Sequence, residues 1–165
     1  MKVKKFITKI ASLVCLITSQ VNAQNILIST VGTPNEPAIT MDIKNPRYLL
    51  AGANLNSCYY SQDTGRTWIR KNMTSTYGVW GDPSFVIDTA GHYYFFHLSN
   101  PGSPGYWIDR IVCQKSTDKG VNWNNGSFTG LTSPKNQDKE WCAVDRTTNN
   151  IYITWTEFDL YGSTS

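Results

Sequence analysis

The sequence predicts an all-β protein built from repeated four-stranded units. Aromatic residues make up 13% of the 165 residues, whereas charged residues make up only 16%, a composition typical of β-rich extracellular proteins. Short runs rich in β-branched and aromatic residues recur between clusters of Gly, Pro, Asn and Asp. No segment after residue 23 shows a helical period over a useful length.

Residues 1–23 have the pattern of a secretory signal peptide. Four lysines precede or flank the apolar stretch 10–17, and Val21-Asn22-Ala23 supplies the small residues that a signal peptidase reads. The apolar stretch is too short to span a bilayer, which takes about 20 apolar residues. We therefore expect cleavage after Ala23 and a mature domain, residues 24–165, that is secreted, periplasmic or at the cell surface, with no membrane span.

The positive charge of the chain belongs to this leader. Four of the fifteen Lys and Arg residues lie in 1–23, so residues 24–165 carry eleven basic against twelve acidic residues, a net charge of −1. Such a balance does not predict binding to nucleic acid. Cys58, Cys113 and Cys142 remain, an odd number whose disulfide pattern is open and whose spacing matches no zinc motif. We predict no metal and no cofactor.

An eight-residue repeat marks two turns of the mature domain. Residues 61–68, S-Q-D-T-G-R-T-W, align with residues 116–123, S-T-D-K-G-V-N-W, at a distance of 55 residues. A second pattern precedes each turn, in which residues 36–42 resemble 82–88, and 140–145 form a third copy. Two interleaved repeats in the same order indicate one structural unit that recurs along the chain.

The strands of the unit follow from the positions of its turns. In the first unit we predict strands at Ala38–Met41, 48–53, Ser57–Ser61 and near 67–70. The second unit repeats this order with Tyr93–Leu98 as its second strand, and the third contributes 151–156. Asp42, Asp88 and Asp145 each end a first strand and are predicted to be turn residues.

The repeated turn has a physical logic of its own. Asp63 can accept hydrogen bonds from backbone N–H groups, Gly65 can adopt a positive φ, and Trp68 can wedge a large apolar area between strands. The turn contains no nucleophile and no base, so we predict a structural role. The residues with this role are Ser61, Asp63, Gly65, Thr67, Trp68, Ser116, Asp118, Gly120 and Trp123.

The pattern Ser-x-Asp-x-Gly-x-Thr-Trp resembles the Asp box, or BNR repeat, of sialidase-like β-propellers. Residues 61–68 match it at every fixed position, and 116–123 depart only at Asn122, where the family has Thr. The resemblance implies a six-bladed β-propeller of four-stranded antiparallel blades, with the Asp boxes on the face away from the active site. It also implies a partial Asp-box domain at residues 24–165.

The length of the repeat predicts an unfinished ring. Units of this length fit about two and a half times into residues 24–165, whereas propellers have roughly 4–8 blades. We expect the N-terminal portion of a longer chain that supplies the remaining blades. A ring-forming oligomer is the alternative.

The resemblance implies a glycan-directed function, namely a glycoside hydrolase of the exo-sialidase type in the full-length parent. Sialidases of this family clamp a carboxylate with three arginines, the first of them in an Arg-Ile-Pro motif before the first inner strand. Residues 31–37 read V-G-T-P-N-E-P and contain no arginine, so the bidentate fork is missing there. No catalytic residue of the family can be carried over, and we expect this chain alone to be inactive. The alternative is a non-catalytic propeller that binds glycan or protein.

Tryptophans and carboxylates are predicted at the strand ends opposite the Asp boxes. Sugars present C–H faces to aromatic rings and hydroxyls to acidic acceptors, so carbohydrate, including sialylated glycan, is the expected partner, with an extracellular protein as the alternative. Structural roles compete with this reading, since tryptophans often pack between sheets and carboxylates often bond backbone. The ligand-binding candidates are Trp80, Asp82, Trp107, Arg110, Lys139, Glu140 and Trp141; the same loops are predicted to contain Glu36, His97, Asp109, Asp138 and Glu157.

Overall fold

The chain forms a row of antiparallel β-sheets. A computed structural model describes residues 24–103 and 105–159. All the regular secondary structure in this part of the chain is β-strand. The signal peptide predicted at residues 1–23 lies outside the described residues. The strands are β1 (Ala38–Met41), β2 (Leu49–Ala53), β3 (Ser57–Ser61), β4 (Ile69–Asn72), β5 (Gly81–Ile87), β6 (Tyr93–Leu98), β7 (Ile111–Ser116), β8 (Ser127–Thr129), β9 (Asn136–Val144) and β10 (Ile151–Phe158).

Two of the sheets are four-stranded meanders. The first sheet has the order β1-β2-β3-β4, the second has the order β5-β6-β7-β8, and the third pairs β9 with β10. The predicted all-β class and the four-stranded unit are therefore confirmed. The bounds predicted for β1, β3 and β6 are confirmed, whereas β4 begins two residues later than predicted because the preceding turn extends through Trp68.

The sheets pack side by side through their first strands. β5 contacts β1 and β2, and β9 contacts β5, β6 and β7. Leu50 and Phe85 belong to one apolar cluster between the first two sheets, and Phe96 and Cys142 belong to another between the second and third. Gly52 allows the close approach, since a Cβ there would lie 2.5 Å from the Phe85 ring.

The first eight-residue turn closes on its aspartate as predicted. Asp63 Oδ1 accepts hydrogen bonds from Ser61 Oγ and from Thr67 N, both at 2.9 Å. Gly65 has a φ of 79°, and its carbonyl accepts a hydrogen bond of 2.9 Å from Trp68 Nε1. The hydrogen bonds from Thr67 and Ser61 lower the pKa of Asp63 to about 2. This network supports the structural role that the sequence predicts.

The second turn reproduces the first despite its one departure from the pattern. Asn122 Nδ2 donates to Asp118 Oδ2 at 2.7 Å, in the place where Thr67 Oγ1 donates to Asp63 Oδ2 at 2.6 Å. Asparagine therefore satisfies the second carboxylate oxygen as threonine does. Trp123 also donates to its turn, with a hydrogen bond of 2.9 Å to Gly120 O.

The aspartates that follow the first strands are turn residues, as predicted. Asp88 Oδ1 accepts from the backbone of Ala90 and His92, each at 2.9 Å. Asp42 and Asp145 accept in the same way from the residues two positions later. These bonds are local, and for this reason they can be predicted from sequence.

The outer faces of the array expose apolar side chains. Ile39 and Met41 are exposed on the first sheet, on the side turned away from the second sheet. Trp141 and Tyr152 are exposed on the third sheet, again on the side away from its neighbour. The two largest buried clusters lie between the sheets, and a smaller one lies on the outer face of the first sheet, where Ile28 and Trp68 pack against Ala51 and Tyr59.

Candidate functional site

A cleft lies at the end of the sheets where β1 and β5 begin, opposite the two Asp boxes. Its volume is about 170 Å³. We call it the acidic cleft because three carboxylate side chains line it beside two tryptophans. Its lining residues are Glu36, Asn54, Leu55, Trp80, Asp82, Leu98, Trp107, Ile108 and Asp138.

The backbone brings repeat-equivalent residues of all three sheets to this cleft. Glu36, Asp82 and Lys139 each lie six residues before the turn aspartate of their unit, and their φ angles are 47°, 49° and 52°. Left-handed backbone is uncommon for residues with a side chain, so its recurrence defines the true register of the repeat. The sequence alignment matched the copies at their turn aspartates and so had this register, but its third copy began at Glu140 and left out Lys139.

Irregular pairing near these residues re-aims their side chains. The register of β5 with β6 shifts between Gly81 and Ser84, and that of β10 with β9 shifts between Thr154 and Thr156. The prediction that Asp82 and residues 138–141 lie in loops before their strands is also wrong. Asp82 lies within β5, and residues 138–141 lie within β9, because β9 continues to pair with β10 beyond the shift.

Lys139 links the carboxylates of the first two sheets. Its Nζ lies 3.7 Å from Glu36 Oε2 and 3.5 Å from Asp82 Oδ2. Partial burial lowers the pKa of Lys139, but Asp82 and Glu36 raise it by more. The ammonium is therefore charged at neutral pH and bridges two sheets that are adjacent in the row.

Glu36 and Asp82 form a coupled carboxyl pair. Burial and the neighbouring Glu36 carboxyl raise the pKa of Asp82 to about 6, whereas a hydrogen bond with Asp82 lowers the pKa of Glu36. Two carboxylates in contact repel each other when both are ionised, so the pair retains a proton at mildly acidic pH. Below about pH 6, Asp82 is the member that holds it.

Asn54 positions this pair, and sequence reasoning missed it. Its Oδ1 accepts a hydrogen bond of 2.6 Å from Asp82 N, and its side chain also bonds Glu36. Gly81 makes room for the amide, since a Cβ at that residue would lie 1.9 Å from Asn54 Oδ1. The only sequence signal is an asparagine in the turn between two predicted strands, and this signal is too common to indicate a site.

Glu140 is buried near the residues of the acidic cleft and has no hydrogen-bond partner. Its side chain is 2% exposed, and neither carboxyl oxygen reaches a donor. Burial raises the pKa of Glu140 well above its usual value, and the charges of Asp82 and Asp138 raise it further. Glu140 lies within β9 rather than at a strand start, and its own backbone N–H lowers the pKa of the carboxyl without forming a hydrogen bond of acceptable geometry. A buried carboxyl without a partner is costly, which makes Glu140 a functional candidate.

Two tryptophans form the apolar wall of the cleft. The rings of Trp80 and Trp107 meet edge to face, with centroids 6.1 Å apart and an interplanar angle of 85°. Trp80 also packs against the cluster between the second and third sheets, as its structural alternative predicted. The Trp107 ring remains partly exposed. An aromatic surface and carboxyl groups therefore share one cleft.

Two predicted candidates lie elsewhere. Arg110 donates from Nε and Nη2 to the carboxylate of Asp109, at 2.7 and 2.5 Å, and its guanidinium lies 4.7 Å from the centre of the Phe128 ring. Trp141 is 70% exposed on the outer face of the third sheet, so neither it nor Arg110 lines the cleft. Cys142, not Trp141, packs against the second sheet, so the alternative that Trp141 packs against a neighbouring sheet stays a prediction for the outer face of the third sheet.

The remaining predicted loop residues are parts of strands or buried networks. His97 lies within β6 and is fully buried, and Glu157 lies within β10 rather than in a connection. Asp109 accepts from Ser99 Oγ at 2.8 Å in addition to its pairing with Arg110. These residues stabilise the sheets and do not reach the cleft.

No family model, curated protein or solved structure matches this chain. Residues 24–103 and 105–159 include no helix capable of crossing a membrane. The same residues contain no group of three or more His, Cys, Asp and Glu side chains suited to hold a metal ion. Any statement about function therefore depends on the geometry of the acidic cleft.

Proposed function

We propose that the acidic cleft binds carbohydrate. The observation that carries this proposal is the presence of the Trp80 and Trp107 rings beside the carboxyls of Glu36, Asp82 and Asp138 in one cleft. Aromatic rings offer an apolar surface to the C–H face of a sugar, and carboxylates accept hydrogen bonds from its hydroxyls. The volume of about 170 Å³ is below the roughly 300–1,000 Å³ of pockets that enclose drug-sized ligands, so the cleft suits one ring of a glycan.

We further propose that the three sheets are consecutive blades of a sialidase-like Asp-box propeller. The meander order, the packing through first strands and the matching Asp-box turns support this architecture. The apolar side chains on both outer faces support additional sheets of the same kind in a longer chain, because an exposed apolar face is stabilised by coverage. We also propose that the protein is exported to the cell surface or beyond.

The electrostatics favour a neutral or cationic glycan over a sialylated one. Three carboxyl groups line the acidic cleft, Glu140 is buried near them, and Lys139 is a cation that contacts two of them. A sialic acid carboxylate would meet repulsion there. Arg110, the arginine among the candidates, is committed to Asp109 and cannot supply the guanidinium fork that a carboxylate ligand needs.

Binding is also favoured over hydrolysis by the spacing of the carboxyls. Glycosidases place their two carboxyl groups about 5–5.5 Å apart for retention and about 6.5–9.5 Å apart for inversion. A hydrogen bond links Glu36 and Asp82, so these two carboxyl groups lie closer together than either separation. The pair is suited to hold a ligand rather than to cleave it.

Calorimetry of the full chain with a panel of short oligosaccharides tests the proposal. We expect cellotriose or N-acetylchitotriose to bind more tightly than sialyllactose. Trp80→Phe should weaken that binding several-fold, because the smaller ring offers less apolar contact, a loss on the order of 1 kcal/mol. Trp141→Phe is the matched control and should leave affinity unchanged, since Trp141 lies outside the cleft. Tighter binding of sialyllactose, or equal effects of the two substitutions, would contradict the proposal.

A further inference from the structure

We propose that the acidic cleft selects an amino sugar, whose ammonium group binds between Glu36 and Asp82 at the position that Lys139 Nζ now occupies. This inference rests on the proposed carbohydrate function and names its ligand class. It follows from a charge imbalance, from one unpartnered side chain and from the geometry of Lys139.

The charge imbalance is set by side chains from all three sheets. Glu36, Asp82, Asp138 and Glu140 interact electrostatically with one another or with Lys139. Glu36 and Asp82 thus share one ammonium group, that of Lys139. An added positive charge would be attracted to this place, and the partly buried position of Asp82 reduces solvent screening of the attraction.

Glu140 gives an independent indication of a missing cation. Both of its oxygens are buried without a hydrogen-bond partner, near enough to Asp82 and Asp138 for their charges to raise its pKa. Native proteins rarely leave buried polar groups unpaired, and exceptions are concentrated at functional sites. A cation in the acidic cleft would stabilise the ionised form of Glu140 through space, in addition to pairing directly with the carboxyls near it.

Lys139 shows that an ammonium fits between the two carboxyls but pairs with them loosely. Its distances of 3.7 and 3.5 Å exceed the 2.7–2.9 Å or so that is typical of a charge-assisted hydrogen bond. The Lys139 side chain is 66% exposed, so a ligand can displace it at small cost. An ammonium is favoured over a metal ion, because no group of acidic side chains among the described residues has the geometry of a metal site.

Three trimers that share one backbone and differ at a single substituent test the inference. Cellotriose carries a hydroxyl, N-acetylchitotriose an acetamide, and the glucosamine trimer an ammonium at the same ring carbon. By calorimetry on the full chain, we expect the glucosamine trimer to bind about tenfold or more tightly than the two neutral trimers, as for one charge-assisted hydrogen bond. This preference should fall as the salt concentration rises.

The outcomes separate this inference from the proposed function. Equal affinity for all three trimers would overturn the inference and support carbohydrate binding. Equal affinity for ethanolamine and the glucosamine trimer would support the ammonium site and overturn its sugar specificity. Binding of none of these compounds would overturn both.

Substitution of the internal ammonium provides a gain of affinity that a purely structural role would not produce. Lys139→Gln removes the competitor and should tighten binding of the glucosamine trimer about tenfold, with no change for cellotriose. Lys135→Gln is the matched control, because Lys135 pairs with Glu157 and Asp159 outside the cleft. Weaker binding by Lys139→Gln, or an equal gain with Lys135→Gln, would overturn the inference.

Discussion

The buried histidine of the second sheet makes the stability of this protein sensitive to acid. His97 is 0% exposed, and its Nδ1 lies 2.8 Å from Leu98 O, so Nδ1 must be the donor. Nε2 of this tautomer carries no proton and cannot donate to the nearby Gln114 side chain. Burial lowers the pKa of His97 to about 4. We therefore predict a neutral imidazole that resists protonation in the folded state.

The direction and size of the effect follow from proton linkage. An unfolded histidine has a pKa near 6.5, so the unfolded chain binds more protons than the folded chain between about pH 6.5 and pH 4. The contribution of His97 to the free energy of unfolding is therefore present above pH 6.5 and is lost as the pH falls toward 4. Between pH 7 and pH 4.5 the loss amounts to about 2 kcal/mol.

Urea unfolding of the wild type and of His97→Asn at the two pH values measures this loss. The asparagine amide can replace the Nδ1–H donor to Leu98 O but does not titrate. The variant should be less stable at pH 7, because packing against Phe95 is reduced. It should nevertheless lose about 2 kcal/mol less than the wild type on acidification. Equal losses in both proteins would refute a buried neutral His97.

Three other substitutions test the site and its support. Gly81→Ala should abolish glycan binding and destabilise the fold by about 1–3 kcal/mol, because the new Cβ would displace the Asn54 amide. Gly102→Ala is the control and should leave glycan binding intact, because Gly102 also has a positive φ but a Cβ there would meet no atom within 4 Å. The raised pKa of Glu140 means that the folded protein binds a proton more tightly than the unfolded chain, so wild-type stability falls as the pH rises above 5. Glu140→Gln should therefore make the free energy of unfolding less dependent on pH in this range. Parallel pH profiles of the two proteins would contradict this. Asp63→Ala should lower the melting temperature by about 5 °C in calorimetry through loss of its turn hydrogen bonds, without changing glycan affinity; weaker glycan binding would argue against a purely structural Asp box.

The site combines features that are costly to a protein without a ligand. The coupled carboxyl pair, the unpartnered Glu140 and the left-handed backbone at Glu36, Asp82 and Lys139 all reduce stability. They lie at the same end of the three sheets, whereas the Asp boxes at the other end are fully hydrogen-bonded. This separation supports ligand binding at one end and structural closure at the other.

The sequence by itself determined the local structure of this protein. The Asp-box turns and the turn aspartates could be predicted, because their hydrogen bonds join residues at most a few positions apart. The bounds of β1, β3 and β6 could also be predicted, because turn residues flank these strands. The all-β class followed from the same short-range patterns. Trp80, Asp82 and Trp107 were also predicted as neighbours, since the repeat places them at the same end of the strands.

Only the tertiary structure decided which of the candidates form the site. Successive residues of a strand point to opposite faces, so the register at Lys139 sends Glu140 inward and leaves Trp141 exposed on the outer face. The contact of Lys139 with Glu36 joins residues about a hundred positions apart and requires all three sheets to be packed. Asn54 acquires its role in the same way, because its partners belong to the next sheet and to the segment before β1.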